Sequence, residues 1–303
     1  MSKRSWVSSL LVSIMILSMV LIAGCGGGVD NGQATSSQNT IKFGGSSTLA
    51  PILAKCADDF TEEYKTWNNV DASLPEEPIV IFVSTGGSGF GFKSSLDKTF
   101  DFGMVTRDLS DEEKNQLVDG TIIQLGSDVL DIAVNNENPL PSIKSDLTSA
   151  ELVAIFSGEI KTWSELDNAL PERPIVVAVR DLGGGASVVF DNAIMKGTPI
   201  STDALQLPSM GALGGKIMDN ADTIGYVSSG LVNQNPDKLI PLSVDGIAPT
   251  IENINSGKYN ISRPLLLVSK DKPNQYQQLF LDYLQSEKGM KVVEDLGYVP
   301  LSR

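Results

Sequence analysis

The chain has 303 residues, of which 41% are hydrophobic, and its 37 acidic and 23 basic side chains give a formal net charge of −14. This excess of negative charge argues against a nucleic acid or an anionic lipid surface as a partner. The chain contains no histidine, which excludes histidine-based general-base catalysis and histidine-ligated metal sites. We therefore expect a protein that is not an enzyme and that needs no metal or cofactor.

The first 24 residues have the composition of a secretory signal. A basic start at Lys3 is followed by an almost uncharged apolar run at 6–22, and small residues directly precede Cys25. This order resembles the lipobox of bacterial lipoproteins, in which the cysteine is acylated and becomes the new N-terminus. The alternative is an uncleaved membrane anchor, which the shortness of the run disfavours. Residues 25–39 are rich in Gly, Ser, Gln and Asn and are predicted to form a flexible tether.

From residue 40 onwards, short apolar runs alternate with amphipathic segments of helical spacing. Ser47 or Thr48 is predicted to cap the first helix, and Thr148 opens a capping box further on. Cys56 lies on the apolar stripe of the first helix and is predicted to be a core residue. Strands are predicted at 41–43, 79–83, 100–105, 131–134, 175–179, 224–227 and 264–268, and helices at 49–64, up to about 96, from 110, from 148, at 187–196 and at 276–289. The alternation predicts an α/β fold with mostly parallel pairing, in which ligands lie beyond the carboxyl ends of the strands.

One stretch of the chain occurs twice, at a constant offset of 96 positions from residue 65 to residue 161. Lys65-Thr66-Trp67 reappears as Lys161-Thr162-Trp163, and Pro78-Ile79-Val80 reappears as Pro174-Ile175-Val176. Each copy reads as a polar loop, an apolar strand and a Gly-rich turn. Two copies are too few for a solenoid. They predict two similar lobes, whose glycine turns would aim helix N-termini at a small anion held between them.

Four segments place small polar residues or an arginine directly after a predicted strand. They are 45–48, 87–89, 106–107 and 180–185. Hydroxyls, free backbone N–H groups and a guanidinium are the donors that a tetrahedral oxyanion needs. Any one of the segments alone is more typical of a helix cap, a tight turn or an arginine that reaches solvent. The prediction of an anion site therefore depends on all four converging.

At this point the sequence resembles the phosphate-binding lipoproteins of ABC-type phosphate uptake, within the type II periplasmic-binding-protein superfamily. The matching stretches are GGSSTLAP at 44–51, GGSG at 86–89, DFGMVTR at 101–107, LVAIFSGEIKTW at 152–163, IGYVS at 224–228, PTIENI at 249–254 and SRPL at 262–265. The resemblance implies two α/β lobes joined by two hinge strands, each lobe a mostly parallel sheet flanked by helices. Lobe I would comprise 40–130 and 248–303, and lobe II would comprise 131–247, with phosphate clamped between them.

The resemblance also implies which side chains contact the ligand. They are Ser47, Thr48, Ser88, Thr106 and Arg180. Thr106 stands where the family has a serine or an aspartate.

The loop after Arg180 departs from the family pattern. The family usually has Gly-Ser-Gly-Thr there, and its two hydroxyls touch phosphate, whereas this chain has GGGA at 183–186. Only the backbone N–H groups of Gly184, Gly185 and Ala186 remain as predicted contacts. Leu182 stands where some members have an acidic residue that steadies the arginine.

The function implied by the resemblance is that of a solute-binding protein, lipid-anchored on the extracytoplasmic face of a bacterial cell membrane. It would capture inorganic phosphate and deliver it to the permease and ATPase subunits of an ABC transporter. We expect a monomer that contacts the membrane through its lipid alone. A hydrolase with Ser88 or Ser47 as nucleophile is disfavoured, because neither serine has a histidine or lysine beside it. The changed loop leaves open another oxyanion, such as sulfate, molybdate or tungstate, or a role as a sensor or adhesion lipoprotein.

Overall fold

The structure, a computed structural model, describes residues 39–301. The predicted signal peptide, Cys25 and all but the last residue of the predicted tether lie outside the described residues. Between residues 39 and 301, no helix is both long enough and apolar enough to cross a membrane.

Strands and helices alternate along the described chain. The strands are β1 (Thr40–Gly45), β2 (Val80–Thr85), β3 (Phe102–Val105), β4 (Thr121–Asn135), β5 (Asp146–Leu147), β6 (Val176–Arg180), β7 (Leu205–Leu207), β8 (Thr223–Ser228), β9 (Leu239–Val244), β10 (Ser262–Ser269) and β11 (Val299–Pro300). The helices are α1 (Ala50–Tyr64), α2 (Trp67–Val70), α3 (Gly87–Leu96), α4 (Asp111–Gln116), α5 (Leu140–Ile143), α6 (Ser149–Ser157), α7 (Trp163–Leu166), α8 (Gly185–Phe190), α9 (Met210–Met218), α10 (Ser229–Gln234), α11 (Ile251–Asn255), α12 (Gln275–Leu284) and α13 (Glu287–Asp295). A π-helical turn, Asp191–Met195, continues α8.

The sheet is parallel at its two ends and antiparallel in the middle. β1 pairs in parallel with β2 and β3 at one end, and β6 pairs in parallel with β7 and β8 at the other. Between them, β4 runs antiparallel to β10 over 121–129 and antiparallel to β8 or β9 over 130–135. The strand β4 therefore passes from one half of the molecule to the other, as the predicted hinge strands require.

The two largest hydrophobic cores lie on either side of this junction. The lobe I core contains Phe43, Phe60 and Phe280, and buried Cys56 belongs to it as predicted. The lobe II core contains Phe156 and Tyr226, and it also includes Tyr259 and Ile261, which lead into β10. Because β10 itself pairs with β3 of lobe I, the chain crosses between the lobes a second time at the start of β10, and β4 and β10 are the two hinge strands. The boundaries of the lobes, 40–130 with 248–303 and 131–247, stay a prediction.

The sequence repeat is a structural repeat. Trp67 and Trp163 are both fully buried, one in each core. The backbone N–H of Trp67 donates to Glu77 O at 2.9 Å, and that of Trp163 donates to Arg173 O at 3.0 Å. Each tryptophan thus closes the same loop in front of its strand, which explains why the 96-residue offset is kept without a gap.

The start of the first helix differs from the prediction. Neither Ser47 nor Thr48 caps it: α1 follows Leu49, which makes no side-chain cap. Instead, Ser46 Oγ accepts hydrogen bonds from Thr48 N at 3.1 Å and from Leu49 N at 3.4 Å. Ser46 therefore orders the loop and leaves the two following hydroxyls available for other partners.

Three other predicted elements have different bounds. The single helix expected at 276–289 is two helices, because Ser286 Oγ accepts from Gly289 N and starts α13. The helix expected at 187–196 begins at Gly185 and ends as the π-helical turn. The strand expected at 131–134 is the second half of the longer β4. The capping box predicted at Thr148 is present.

Asp131 is a buried acid in the second half of β4. Its Oδ1 atom is buried and has no hydrogen-bond partner among the described residues. Burial raises the pKa of this carboxyl well above its usual range, and the nearby Asp128 carboxylate raises it further. The folded protein therefore binds this proton more tightly than the unfolded chain does.

Asp131→Asn should consequently stabilise the fold at neutral pH. In the unfolded chain this carboxyl titrates at about pH 3.9. Its contribution to stability is fully present below that pH and is lost as the pH rises through the raised pKa of the folded state. Asparagine does not titrate, so we expect a gain of about 1 kcal/mol or more at pH 7, the scale of one pKa unit.

The measurement is urea unfolding of both proteins between about pH 3.5 and pH 8, which spans the titration of the unfolded carboxyl. Asp237→Asn, a change to an exposed aspartate of the same lobe, is the control and should alter stability by less than about 0.5 kcal/mol. Parallel pH profiles for Asp131→Asn and wild type would contradict the prediction.

Candidate functional site

The four predicted segments meet at the carboxyl ends of four strands. Ser46 follows β1, Ser88 follows β2, Thr106 follows β3 and Arg180 ends β6. The first three belong to lobe I and the fourth to lobe II. This is the edge at which parallel α/β sheets bind ligands, and it is where the two lobes come into contact.

Lobe I contributes a cluster of buried hydroxyls. Ser46 Oγ lies 3.0 Å from Thr106 Oγ1, and Ser88 Oγ lies 3.3 Å from the same atom. Thr106 N donates to Ser88 Oγ at 3.0 Å. Because Ser46 Oγ accepts from backbone N–H groups, its own proton is directed to Thr106. The structure brings the predicted Ser88 and Thr106 together in this cluster, and it adds Ser46, which is not among the predicted contacts.

Ser47 and Thr48 each accept a hydrogen bond from an arginine. Arg180 Nη1 donates to Ser47 Oγ at 3.3 Å, and the backbone N–H of Met210, at the start of α9, donates to the same oxygen at 3.1 Å. Ser47 therefore joins the first loop of lobe I to lobe II. Arg263 Nη2 donates to Thr48 Oγ1 at 2.9 Å.

Arg180 is held by lobe II so that its guanidinium faces lobe I. Its side chain is only 3% exposed. Nε donates to Leu207 O at 3.1 Å, and Nη2 donates to Pro208 O at 3.0 Å and to Asp181 Oδ1 at 2.9 Å. Burial lowers the pKa of the Arg180 guanidinium, and the Asp181 carboxylate opposes that shift. Since an arginine stays protonated in proteins, a fixed positive charge lies between the lobes.

The acidic partner of Arg180 lies one position earlier than the family pattern suggests. Leu182, at the position where some members have the acid, is 87% exposed. Asp181 makes the ion pair instead.

Two of the three glycines in the Gly-rich loop of lobe II, Gly184 and Gly185, are closely approached by other groups. A Cβ atom at Gly185 would lie 2.5 Å from Ser88 Oγ and 2.6 Å from Thr106 O. A Cβ atom at Gly184 would lie 2.9 Å from Arg180 Nη2. The serine that the family has at the position of Gly184 would therefore clash with Arg180 as the guanidinium is placed in this chain.

Ala186 offers its backbone only. Its side chain is fully buried in the lobe II core, so a threonine there would have to place its hydroxyl among apolar side chains. The two lobes also meet through the backbone, since Gly89 N donates to Gly183 O at 3.3 Å. The lobes are thus in contact in this structure.

Arg107 does not belong to the cluster, although it follows Thr106. Its Nη1 and Nη2 atoms donate to the two carboxylate oxygens of Glu113, at 2.6 and 2.7 Å. The ion pair fixes the loop before α4. Of the two arginines in the four segments, only Arg180 reaches the site.

Sequence reasoning missed a second buried arginine. Arg263 and Asp128 are opposite each other on β10 and β4, and the guanidinium donates to Asp128 Oδ2 from Nε at 3.0 Å and from Nη2 at 2.7 Å. Burial raises the pKa of the Asp128 carboxyl, against the effect of the Arg263 charge. The available signal was Arg263, a charge that directly precedes the apolar run 264–268 and lies inside the SRPL motif.

The chain also matches a family model. The PBP superfamily domain matches residues 32–288. The chain belongs to the PBP superfamily. This confirms the predicted resemblance and the predicted two-lobed α/β fold of the periplasmic binding proteins, a family of binding proteins and not of enzymes.

Individual members of the PBP superfamily are similar over most of their length. The phosphate-binding protein PstS of Staphylococcus epidermidis is 28% identical over 303 residues, covering 95% of this chain and 88% of that protein. The crystal structure of a putative phosphate ABC transporter substrate-binding protein from Clostridium perfringens, with bound phosphate, has a TM-score of 0.74 at 25% identity and covers 87% of this chain and 100% of the other. An ABC-type phosphate transport receptor from Vibrio cholerae is similar in fold, with a TM-score of 0.65 at 22% identity, over 86% of this chain and 100% of that chain.

The groups that meet at this site are suited to reversible anion binding. The site combines hydroxyls from three loops of lobe I with a charged guanidinium and backbone N–H groups from lobe II. These groups can neutralise and hydrogen-bond a small oxyanion from both sides. Ser88 and Ser47 are hydrogen-bonded to backbone N–H, hydroxyl and guanidinium groups, none of which is a base that would activate a nucleophile.

Proposed function

We propose that this chain is an extracytoplasmic solute-binding protein that captures inorganic phosphate between its lobes and delivers it to the permease and ATPase subunits of an ABC transporter. The relatives named above are phosphate-binding proteins or phosphate transport receptors, and the coverage of this chain is high in each case. No enzymatic step is part of the proposal, and the protein would act as a monomer without a cofactor.

The observation that carries the proposal is the contact between Arg180 of lobe II and Ser47 in the first loop of lobe I. A net charge of −14 opposes the capture of an anion, so a local positive charge is needed. Arg180 supplies that charge from a buried position, with its Nη1 atom 3.3 Å from Ser47 Oγ. An oxyanion bound there would accept hydrogen bonds from both lobes at once.

The proposed ligand contacts are those inferred from the sequence, with one addition and one removal. Lobe I would donate from Ser47, Thr48, Ser88 and Thr106, and lobe II from Arg180 and the backbone N–H groups of Gly185 and Ala186. Ser46 joins them as the residue that orients Thr106. The predicted contact from Gly184 is removed, because its N–H already donates to Asp181 O at 3.0 Å. Ligand would favour the closed arrangement, because only that arrangement brings both sets of donors to one anion.

Isothermal titration calorimetry with phosphate, sulfate, molybdate and tungstate tests the proposal. We expect phosphate to bind with the highest affinity. An affinity for sulfate or a metal oxyanion that exceeds the affinity for phosphate would overturn the phosphate assignment and leave the anion-binding site in place. The absence of binding to all four anions would overturn the proposed function itself.

A second candidate keeps the fold and changes the ligand. The loop 183–186 lacks both hydroxyls that the family uses, and Gly184 and Ala186 are placed so that simple restoration would disturb Arg180 or the core. A site with fewer donors on one side suits an anion with a weaker demand for hydrogen bonds than phosphate. The same calorimetric panel distinguishes this candidate, and a sensor or adhesion role would follow if no transport accompanied binding.

We also propose that the protein is attached to the membrane through a lipid on Cys25. The basis is the sequence alone, since Cys25 follows a basic start, an apolar run and Ala23-Gly24. A flexible tether at 25–39 would then let the binding lobes reach a permease while the lipid holds them at the extracytoplasmic face of the cell membrane.

Cys25→Ala should release the protein from the membrane or leave an uncleaved precursor. The reason is that the thiol is the only group at this position that can carry the acyl chains, and without them the tether holds nothing in the membrane. Cell fractionation and the mass of the intact protein measure the outcome. Cys56→Ala, which removes the other cysteine, should leave processing unchanged. Normal processing and full membrane retention of the Cys25 variant would contradict the lipid anchor.

A further inference from the structure

A second buried guanidinium lies beside the proposed anion site and is tied to the hinge strands. Arg263 on β10 and Asp128 on β4 are directly opposite in register, and both are almost fully buried. From this position, Arg263 Nη2 reaches forward to Thr48 Oγ1 at 2.9 Å. Thr48 belongs to the loop that carries Ser46 and Ser47, so a residue of the hinge touches the ligand loop directly.

The direction of this hydrogen bond is fixed by chemistry. A guanidinium has five N–H donors and no acceptor, so Thr48 Oγ1 must accept. No second hydrogen bond of the Thr48 hydroxyl is found between residues 39 and 301, which leaves its proton available. Ser47 is arranged in the same way, because its oxygen accepts from Arg180 Nη1 and from Met210 N. Two neighbouring hydroxyls are thus turned into donors.

The backbone of Thr48 is held by the same group of residues. Tyr298 Oη donates to Thr48 O at 3.2 Å, and Thr48 N donates to Ser46 Oγ at 3.1 Å. Asp128 in turn is contacted from lobe II by Ser229 Oγ at 3.5 Å. A chain of contacts therefore runs from the ligand loop through both hinge strands to lobe II. Its members are Thr48, Arg263, Asp128 and Ser229.

We infer that Arg263 is a positioning residue of the anion site, which holds the Thr48 hydroxyl as a donor to the bound oxyanion. Asp128 neutralises Arg263 and fixes its orientation, so that one N–H of Nη2 is left for Thr48. The inference rests on the proposed function, because it assumes an anion between the lobes. It assigns a role at the site to two hinge residues that do not belong to the four loops and do not contact the anion.

A thermodynamic cycle on phosphate affinity tests this role. Removal of Arg263 alone would leave Asp128 buried without a partner, so both charges are replaced together, as Arg263→Met with Asp128→Leu. Thr48→Val removes the hydroxyl and keeps the shape. We expect each of the two variants to weaken phosphate binding by about 10- to 100-fold, the scale of a hydrogen bond to a charged group. The Thr48 hydroxyl acts only when Arg263 orients it, so the two losses should not add. We expect the affinity of the combined variant to lie within about 3-fold of the lower of the two single affinities.

Two controls distinguish positioning from a general loss of structure. Thr48→Ser keeps the hydroxyl and should bind phosphate with nearly wild-type affinity, unlike Thr48→Val. Arg107→Met with Glu113→Leu removes an ion pair of the same kind outside the site and should bind phosphate like wild type. If the Arg263/Asp128 variant does not fold, Arg263→Lys replaces it in the cycle. A lysine keeps the charge against Asp128 but has no planar fork with which to reach both partners.

The outcomes separate the two proposals. If the fold-losses in affinity of the two variants multiply in the combined variant, the inference is wrong. It is also wrong if the Arg263/Asp128 variant or Arg263→Lys binds phosphate with wild-type affinity. In both cases phosphate binding by the wild-type protein stands. A wild-type protein that binds none of the four oxyanions would overturn the proposed function.

Discussion

Arg180→Ala should weaken phosphate binding by about 1.5–3 kcal/mol, or about 10- to 150-fold, because it removes a charge-assisted hydrogen bond and the cation that makes an acidic protein attractive to an anion. Neither of the other two arginines near the site can replace it, since Arg107 pairs with Glu113 and Arg263 with Asp128. Arg180 stays protonated at all relevant pH values, so titration of the arginine itself adds no pH dependence to the loss.

The measurement is calorimetric titration of wild type and variant, accompanied by thermal unfolding without ligand. Arg180 also donates to Leu207 O and Pro208 O, so a modest fall in the unfolding temperature is expected alongside the loss of affinity. Arg180→Lys, which keeps the charge but not the fork, should recover only part of the affinity. Arg107→Ala is the matched control and should bind phosphate as wild type does. If Arg180→Ala retained full affinity, the guanidinium would not contact the ligand.

The repeat explains why the two lobes could be predicted from sequence. A buried tryptophan, a loop-closing backbone hydrogen bond and a following strand are all local features, so they recur wherever the same residues recur. Trp67 and Trp163 are the clearest of these recurring residues, and they occupy equivalent positions in the structure. The four loops at the strand ends could also be predicted from local features, because the end of an apolar run marks the edge of the sheet.

The hinge contacts could not be predicted, because they depend on residues that are far apart in the chain. Arg263 and Asp128 are separated by 135 positions, and the first half of β4 has no strong apolar pattern to mark it as a strand. The choice among Ser46, Ser47 and Thr48 also required coordinates. All three are small hydroxyl residues in one loop, and only their partners show that Ser46 orders the loop while the other two face arginines.

The second large effect is expected at Gly185, which stands at the contact between the lobes. In Gly185→Ala, the added Cβ atom would lie 2.5 Å from Ser88 Oγ and 2.6 Å from the backbone oxygen of Thr106. A side chain can rotate away from such a contact, but the backbone oxygen at the end of β3 cannot. The lobes would have to separate slightly, and the donors of lobe I and lobe II would no longer meet around one anion.

We therefore expect Gly185→Ala to weaken phosphate binding by about 10-fold or more, which corresponds to about 1.4 kcal/mol or more. The stability of the ligand-free protein should change little, because each lobe has its own core and alanine is a better helix former than glycine at the start of α8. Gly183→Ala is the matched control two residues earlier, since a Cβ atom there would meet nothing within 4 Å. Calorimetry gives the affinities, and small-angle X-ray scattering with saturating phosphate should give a larger radius of gyration for Gly185→Ala than for Gly183→Ala. Equal affinities and equal radii in the two variants would mean that the close approach at Gly185 is not needed to hold the ligand.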